Sequence, residues 1–459
     1  MHTTDAVRQI KPTIFYGQTT SLCETCLVLV PAKIYFEDGN VYYQKRCKTH
    51  GEQKTLVSTD IAYFKKCKEY FKEPDLPLVT QTETLRGCPY DCGLCPDHEQ
   101  HTCLALIEIN QKCNLKCPIC FADSSPAKTK ELDRETYEKM LETLVASEGE
   151  PDLLQISGGE PTLHPQILEF LHLAKARPIR HLMINTNGIR IAQDEEFVAE
   201  LAKLKPGFEV YLQFDSLQAS ALKTIRGADL RSVRDRALAN LEKHGIATTL
   251  VVVVQKGTND DELGAIIEHA LKYKCVRGVT FQPIQVVGRT DEFDEKSQRI
   301  VLSEVRQKIL DQSKRFTPDD LIPLPCNPEA IAIGYGLRDG DQFVPVTSWF
   351  AEDDVLRKGP NTVTYEKYPE LKRRVFDLLS LSTVEHNSES KLKDLLCCLP
   401  QFEVPTEFGY DRVFRVVIMN FLDRYNFCIA QVKRSCVHFV TEKQKIIPFD
   451  TYNLFYRET

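Results

Sequence analysis

Between residues 104 and 283 the chain switches repeatedly between two rhythms of apolar and polar positions. Short apolar runs at 104–109 (LALIEI), 152–157 (DLLQIS), 181–185 (HLMIN), 209–214 (EVYLQF), 247–254 (ATTLVVVV) and 278–283 (GVTFQP) read as buried strands. Amphipathic stretches at 132–148, 164–176, 193–204, 229–244 and 260–273 lie between them. Each is long enough to cross over and return a strand parallel to the one before. Six such β/α repeats predict an α/β fold, an incomplete parallel (β/α)6 barrel whose chemistry sits on loops at the C-terminal ends of the strands.

The flanks follow other patterns. Upstream, LVLVPAKIYFEDGNVYYQKR reads as a β-hairpin turning at Asp38-Gly39. Downstream, a charged helix (DEKSQRIVLSEVRQKIL) leads into a proline-rich segment and the glycine-containing AIAIGYGL, an α+β extension. The expected division is a metal-binding module over 1–75, a cysteine-rich segment over 76–103, the barrel over 104–290 and the extension over 291–459. Composition narrows the class. With 459 residues, 42% hydrophobic and 27% charged, the chain is typical of soluble globular proteins. A net charge of -7 gives no basic surface for nucleic acid. The start, MHTTDAVRQIK, lacks the apolar core of an export signal, and the aliphatic run 250–254 is too short to span a bilayer, so a cytoplasmic protein without a transmembrane segment is expected.

The 17 cysteines, 11 of them within the first 120 residues, then point to metal rather than disulfides. Cys23-x2-Cys26 and Cys47-x2-His50, placed around the hairpin, match a rubredoxin or zinc-ribbon pattern for one iron or zinc. Cys67 reads as a free thiol. Directly after the first barrel strand come Cys113, Cys117 and Cys120 in C-x3-C-x2-C spacing. Three thiolates on a [4Fe–4S] cluster leave one iron open to a small molecule. Cys88, Cys92 and Cys95 repeat that spacing without a strand leading in, and Cys103 follows as a ready fourth ligand, so these four are assigned to an auxiliary cluster. Cys326 and Cys436, with Cys428 behind them, are candidates for a C-terminal cluster. Cys397 and Cys398 read as buried small hydrophobes.

The strand-end loops supply further candidates. Gly158 and Gly159 permit close backbone approach, and Glu160, before Pro161, offers a carboxylate to an ammonium group. Asn185 and Asn187 after the third strand and Asp215 after the fourth either orient a bound nucleoside or cap the next helices. Arg226 either meets a ligand carboxylate or lies on the surface. Lys256–Asn259 and Gln282-Pro283 are expected to line the pocket.

The C-x3-C-x2-C loop, the GGEP turn, the asparagine-rich turn and the six repeats together resemble the radical S-adenosylmethionine (SAM) superfamily. That resemblance implies a reduced cluster on Cys113, Cys117 and Cys120 that cleaves SAM to a 5′-deoxyadenosyl radical, which takes hydrogen from an unactivated C–H bond. It also implies that Gly158, Gly159 and Glu160 engage the SAM amino group. Over most of the chain the CxxC…CxxH module, GCPYDCGLCPDHEQHTC, CNLKCPICFADS and RYNF…VKRSCVHF…IIPFDTYN resemble the tetraether lipid synthase-like family, also described as pterin methyltransferases. This implies carbon–carbon coupling of isoprenoid or alkyl lipid chains, with functionalisation of a pterin-like molecule as the alternative. It further implies at least two [4Fe–4S] clusters, a ferredoxin or flavodoxin as electron donor, and peripheral membrane contact. A non-enzymatic zinc-ribbon binding protein would account for the first 50 residues only. Asp450 stands where the resemblance leads one to expect a cysteine, which leaves a C-terminal cluster either absent or completed by that carboxylate.

Overall fold

Six apolar runs become six neighbouring parallel strands in chain order: β5 (Leu104–Glu108), β6 (Leu153–Ser157), β7 (His181–Thr186), β8 (Phe208–Gln213), β9 (Ala247–Val254) and β10 (Val276–Pro283). The computed structural model describes residues 12–70, 73, 75–339, 342–348 and 412–457. Cys397 and Cys398 lie outside the described residues. Helices cover the outer face of the sheet. In Arg134–Glu148, capped by Asp133 accepting from Thr136 N at 2.8 Å, the buried stripe Tyr137, Met140, Leu141 and Leu144 joins one core cluster with Ala105, Ile107, Leu154 and Ile156. The stretch expected as one helix over 193–204 is two, Ile189–Gln193 and Glu195–Ala202, because Asp194 caps the second.

The barrel does not end at residue 290. Ile331–Asp339 (β11) and Val413–Met419 (β12) extend the sheet beyond β10, with β12 parallel to β10 and β11 antiparallel to β12. On the opposite edge Val437–Val440 (β13) pairs parallel with β5, and Ile446–Pro448 (β14) follows antiparallel. The extension therefore lengthens both edges of the barrel sheet instead of packing beside it. Its apolar runs VFRVVIM and VHFV are buried strand segments that need a partner on each side.

The floor of the barrel is a buried ion cluster. Glu209, on the same face of β8 as Tyr211 and Gln213, accepts from Arg415 at 2.6 Å and pairs with His181 Nε2 at 3.2 Å. The Arg415 guanidinium, with the His181 hydrogen bond, holds its carboxylate well below the usual carboxylate range despite complete burial.

At the N-terminus, β1 (Ile14–Leu22), β2 (Leu29–Glu37), β3 (Asn40–Cys47) and β4 (Gly51–Ser58) form an antiparallel meander. The β2–β3 turn has Asp38 at φ 50° and Gly39 at φ 79°, the two positive values that a type I′ hairpin requires. The meander docks on the C-terminal segment: fully buried Lys45 donates to Tyr425 O at 2.7 Å and Arg424 O at 3.2 Å. Among the described residues no helix is long and apolar enough to cross a membrane.

Candidate active site and metal centres

The loop after β5 is held by backbone. Gly159 N donates to Asn110 O at 2.8 Å, Glu160 N to Lys112 O at 2.9 Å, and Asn110 Nδ2 to Glu160 O at 2.9 Å. The glycines permit close approach within the chain as well as lining the cavity described next: a Cβ on Gly159 would stand 2.3 Å from Lys112 O, and one on Gly158 2.4 Å from Asn110 O. Their absent side chains let the GGEP turn lie against the peptide leading to Cys113. Glu160, 1% exposed, is fully engaged as well. It accepts from Thr162 N (3.1 Å), Thr162 Oγ1 (2.6 Å), Thr186 Oγ1 (2.7 Å) and Asn187 N (2.8 Å), while burial raises its pKa. The carboxylate braces the second and third strand ends, and Pro161 opens the short helix between them.

Cys113 and Cys117 are buried and Cys120 half-buried, and all three line one cavity at the C-terminal ends of the strands. Burial pushes the Cys113 thiol up to about 12. These thiols do not all fall within 4.8 Å of one another, unlike two sets described below. Such spread suits a cubane cluster better than a single ion.

The polar residues around the loop have definite roles. Asp215 is fully buried with φ 63°, and Arg226 donates to it from Nε and NH2, both at 2.7 Å, while Arg234 adds a contact at 3.2 Å. Burial alone would raise the Asp215 pKa, but the two guanidinium groups hold it low. Arg226 is therefore no surface residue; its charge stands beside Cys117 and Cys120. Asn185 lines the cavity and accepts from Gln213 Nε2 at 2.7 Å, and Asn187 donates to Asn114 of the cysteine loop at 2.7 Å. Gln282 and Pro283 line the cavity as expected. The 256–259 segment does not: Lys256 turns to Glu304 at 2.7 Å, and Asn259 is spent on Asp215 O, Val253 O and Gln255 N.

Arg289, which no local pattern singles out, staples the cysteine loop. It donates to Cys117 O at 2.6 Å and Ser124 O at 2.7 Å and pairs with Asp123 at 2.7 Å. The preceding Gly288 has φ +59°, and a Cβ there would meet Cys120 O at 2.5 Å. A glycine–arginine pair just past the sixth strand was the available signal.

Two other sets of ligand-type side chains are tightly gathered. Cys23, Cys26, Cys47 and His50 lie within 4.8 Å of one another, with Cys23 Sγ–His50 Nδ1 at 3.4 Å, Cys47 Sγ–His50 Nδ1 at 3.6 Å and Cys26 Sγ–Cys47 Sγ at 3.9 Å. Tetrahedral bonds of about 2.3 Å to sulfur and about 2.1 Å to nitrogen give edges of roughly 3.6 to 3.8 Å, so the four suit one zinc or iron. The second set corrects the expectation for Cys103. It joins Cys326 and Cys436, within 4.8 Å, instead of Cys88, Cys92 and Cys95. The cause is topological: β13 pairs with β5, Leu104 N donates to Cys436 O at 3.0 Å, and Cys103 is drawn to the strand beside it. Cys88 and Cys92 remain in hydrogen-bond contact, with Cys95 close to Cys92.

Cys428 does not belong to this set. It packs with Phe36 and Phe64 against the N-terminal meander and lies 3.2 Å from Thr19 Oγ1. Cys67 is a buried thiol, pushed up to about 12 by burial. The Asp450 carboxylate accepts from Leu422 N at 2.6 Å, and burial raises its pKa to about 7.

Comparison with known proteins agrees with this geometry. Residues 107–270 match the radical SAM superfamily, and residues 15–59 match a zinc ribbon domain described as HMPTM N-terminal. The 7,8-dihydro-6-hydroxymethylpterin dimethyltransferase of Methanocaldococcus jannaschii is 31% identical over 96% of this chain and 94% of its own length. The GTP 3′,8-cyclase of Chlorobaculum tepidum is 30% identical over 41% of this chain and 56% of its own length. Among solved structures, Streptococcus suis SuiB bound to S-adenosylmethionine aligns over 45% of this chain and 46% of its own, at 18% identity and a TM-score of 0.37.

Proposed function

Because the chain belongs to the radical SAM superfamily, and to the family of the Methanocaldococcus jannaschii pterin dimethyltransferase, we propose that this radical SAM enzyme functionalises a reduced pterin-like heterocycle, methylation being the favoured outcome. Support for the substrate class comes from the two unlike walls of the cavity. One wall carries Gln155, Asn185, Tyr211, Gln213 and Gln282, and Gln155 Oε1 is buried without a hydrogen-bond partner. Such a wall favours a ring with a hydrogen-bond donor on its edge, since an occupant without one leaves Gln155 Oε1 unpaired. The same cavity is also lined by Phe121, Phe421 and Phe449, with the last two stacked at 4.0 Å, a surface for a flat ring.

Cys113, Cys117 and Cys120 would hold the catalytic cluster. Bound there, it supplies the electron that splits SAM into methionine and a 5′-deoxyadenosyl radical. Around it, Glu160 and Asn187 fix the loop, Arg226 sets a positive charge beside the thiolates, and the phenylalanines exclude water. Further clusters on the remaining cysteines, iron or zinc in the ribbon, and a low-potential donor such as ferredoxin or flavodoxin belong to the same proposal. Coupling of isoprenoid or alkyl chains is the second reading, favoured by Leu104, Leu106, Met419 and Val437 on the apolar wall.

An anaerobic assay of the reconstituted full chain with reductant and SAM separates the readings by counting 5′-deoxyadenosine. Stimulation by 7,8-dihydro-6-hydroxymethylpterin, lost in Cys113→Ala, is expected. Stimulation by a long-chain isoprenoid lipid alone would install the second reading, and absence of SAM cleavage under every condition would overturn both.

A further inference from the structure

Among the described residues, six carboxamide side chains line the cavity beside the cysteine loop, and five of them are committed to the protein. Asn185 accepts from Gln213 Nε2 at 2.7 Å and donates to Ser157 Oγ at 3.3 Å, while Gln213 Oε1 accepts from Arg226 at 2.8 Å. Asn187 donates to Asn114 Oδ1 at 2.7 Å and accepts from Ile189 N at 3.0 Å. Gln282 and Gln285 each commit Nε2, to the Tyr211 hydroxyl at 3.3 Å and to Leu422 O at 2.6 Å. Gln155 is the exception. Its Oε1 is buried without a hydrogen-bond partner, and among the described residues its Nε2 has none either.

The strands around Gln155 explain why the chain supplies no partner. Gln155 stands in the middle of β6 and is 3% exposed. Its neighbours in register are Leu106 on β5 and Met183 on β7, both buried and neither with an N–H or O–H on its side chain. A buried carboxamide left unpaired destabilises the fold, and an occupant of the cavity that pairs it offsets that penalty.

The chemistry of a carboxamide restricts the occupant. It presents one acceptor and one donor side by side, so it forms two parallel hydrogen bonds with a ring edge that carries a donor next to an acceptor, as glutamine does with adenine. An edge of two acceptors leaves Oε1 unpaired, and an edge of two donors leaves Nε2 unpaired. The lactam of a pterin, N3–H beside the C4 carbonyl, has the required pair.

We infer that Gln155 determines the specificity of the cavity, with Oε1 accepting from the lactam N–H of the substrate ring and Nε2 donating to the adjacent carbonyl. This rests on the pterin reading of the site and adds to it the ring edge that the protein reads. A heterocycle alkylated at the lactam nitrogen is a poor ligand.

The test is equilibrium binding to the anaerobically reconstituted full chain, with SAM and without reductant, read from quenching of the pterin's own fluorescence. The probes are 7,8-dihydro-6-hydroxymethylpterin and its N3-methyl derivative. N3-methylation should weaken binding to the parent chain about 10- to 100-fold. Gln155→Ala should weaken the unmethylated pterin by a similar factor and should separate the two probes by less than about threefold, because the acceptor is gone and the smaller side chain leaves room for the methyl group. Equal binding of both probes by the parent would overturn the inference without recourse to any variant, and so decides alone if Gln155→Ala does not fold. Undiminished discrimination by Gln155→Ala would also overturn it, since another group then reads the lactam. Both of those results leave the pterin reading standing. A parent chain that binds neither probe would remove the pterin reading and this inference together.

Discussion

Gly159→Ala tests whether the GGEP turn exists to seat the cysteine loop. The added Cβ would stand 2.3 Å from Lys112 O and 2.6 Å from Gln111 O, where ordinary contact begins at 3.4 Å, so the two loops must part by about 1 Å. Gly159 does not occupy the left-handed region, so the cost is crowding and not backbone strain. Overpacking of about 1 to 3 kcal/mol, with weakening of the two backbone hydrogen bonds at 2.8 and 2.9 Å by about 1 kcal/mol together, gives roughly 2 to 4 kcal/mol. In a chain of this size that corresponds to a melting point lower by roughly 2 to 4 °C. The chemical effect should exceed the thermal one, since a displacement of about 1 Å at a reacting group costs on the order of 100-fold in rate. Three readouts on anaerobically reconstituted protein check this: melting temperature, iron bound per chain and rate of 5′-deoxyadenosine formation. Gly17→Ala, whose Cβ meets nothing within 4 Å, is the control and should change none of them. If Gly159→Ala matched Gly17→Ala in all three, the back-to-back packing of the turn and the cysteine loop would be refuted.

Arg226→Lys keeps the charge but loses the fork onto Asp215, so SAM cleavage should fall at least tenfold, mainly through a higher KM for SAM, with about 1 to 3 kcal/mol of stability lost; unchanged kinetics would remove the arginine from the site. Lys45→Met leaves Tyr425 O and Arg424 O without their donor and should lower stability by about 2 kcal/mol in chemical denaturation, whereas a neutral result would mean the ribbon docks by other contacts. Burial holds His98 down to about 4, so the folded chain keeps it neutral while the unfolded chain protonates near 6.5. Its contribution is present above pH 6.5 and is lost as pH falls from 6.5 to 4, by at most about 3 kcal/mol. His438, also held down by burial, acts in the same direction, and His98→Gln should flatten the acid limb of a stability–pH profile.

How much of the molecule is legible in the chain depends on how local its causes are. The six barrel strands are each one apolar run, and the runs at 104–109 and 247–254 reappear as Leu104–Glu108 and Ala247–Val254 because nothing distant competes for them. The ribbon is as local: a D-G turn and two knuckles specify a hairpin that brings four ligands together. The sheet edges are otherwise. VFRVVIM lies more than a hundred residues beyond β10, and its pairing there is a property of the finished barrel, whose open edge needs a strand. The same applies to Cys103. Eight residues after Cys95 it looks like a fourth ligand, and only the pairing of β13 with β5 moves it to Cys436.

The glycines and Glu160 expose a subtler limit. The superfamily resemblance implies that GGEP is part of a SAM-binding loop, and a carboxylate beside glycines reads as a ligand contact. In the folded chain all four donors to Glu160 come from the protein, and the glycines make room for the chain's own carbonyls. The residue types are the same in both accounts, because close approach of backbone and a buried acceptor are needed whether the partner is a ligand or the next loop. What separates them is whether the donors are already supplied. At Gln155, Asn110 and Thr82 they are not: each keeps a buried atom without a partner. A folded chain tolerates such atoms at a cost of about 1 to 3 kcal/mol apiece, which binding of a molecule with complementary groups would offset. The orphaned atoms, more than the motif residues, therefore mark where the ligands of this protein are to be sought.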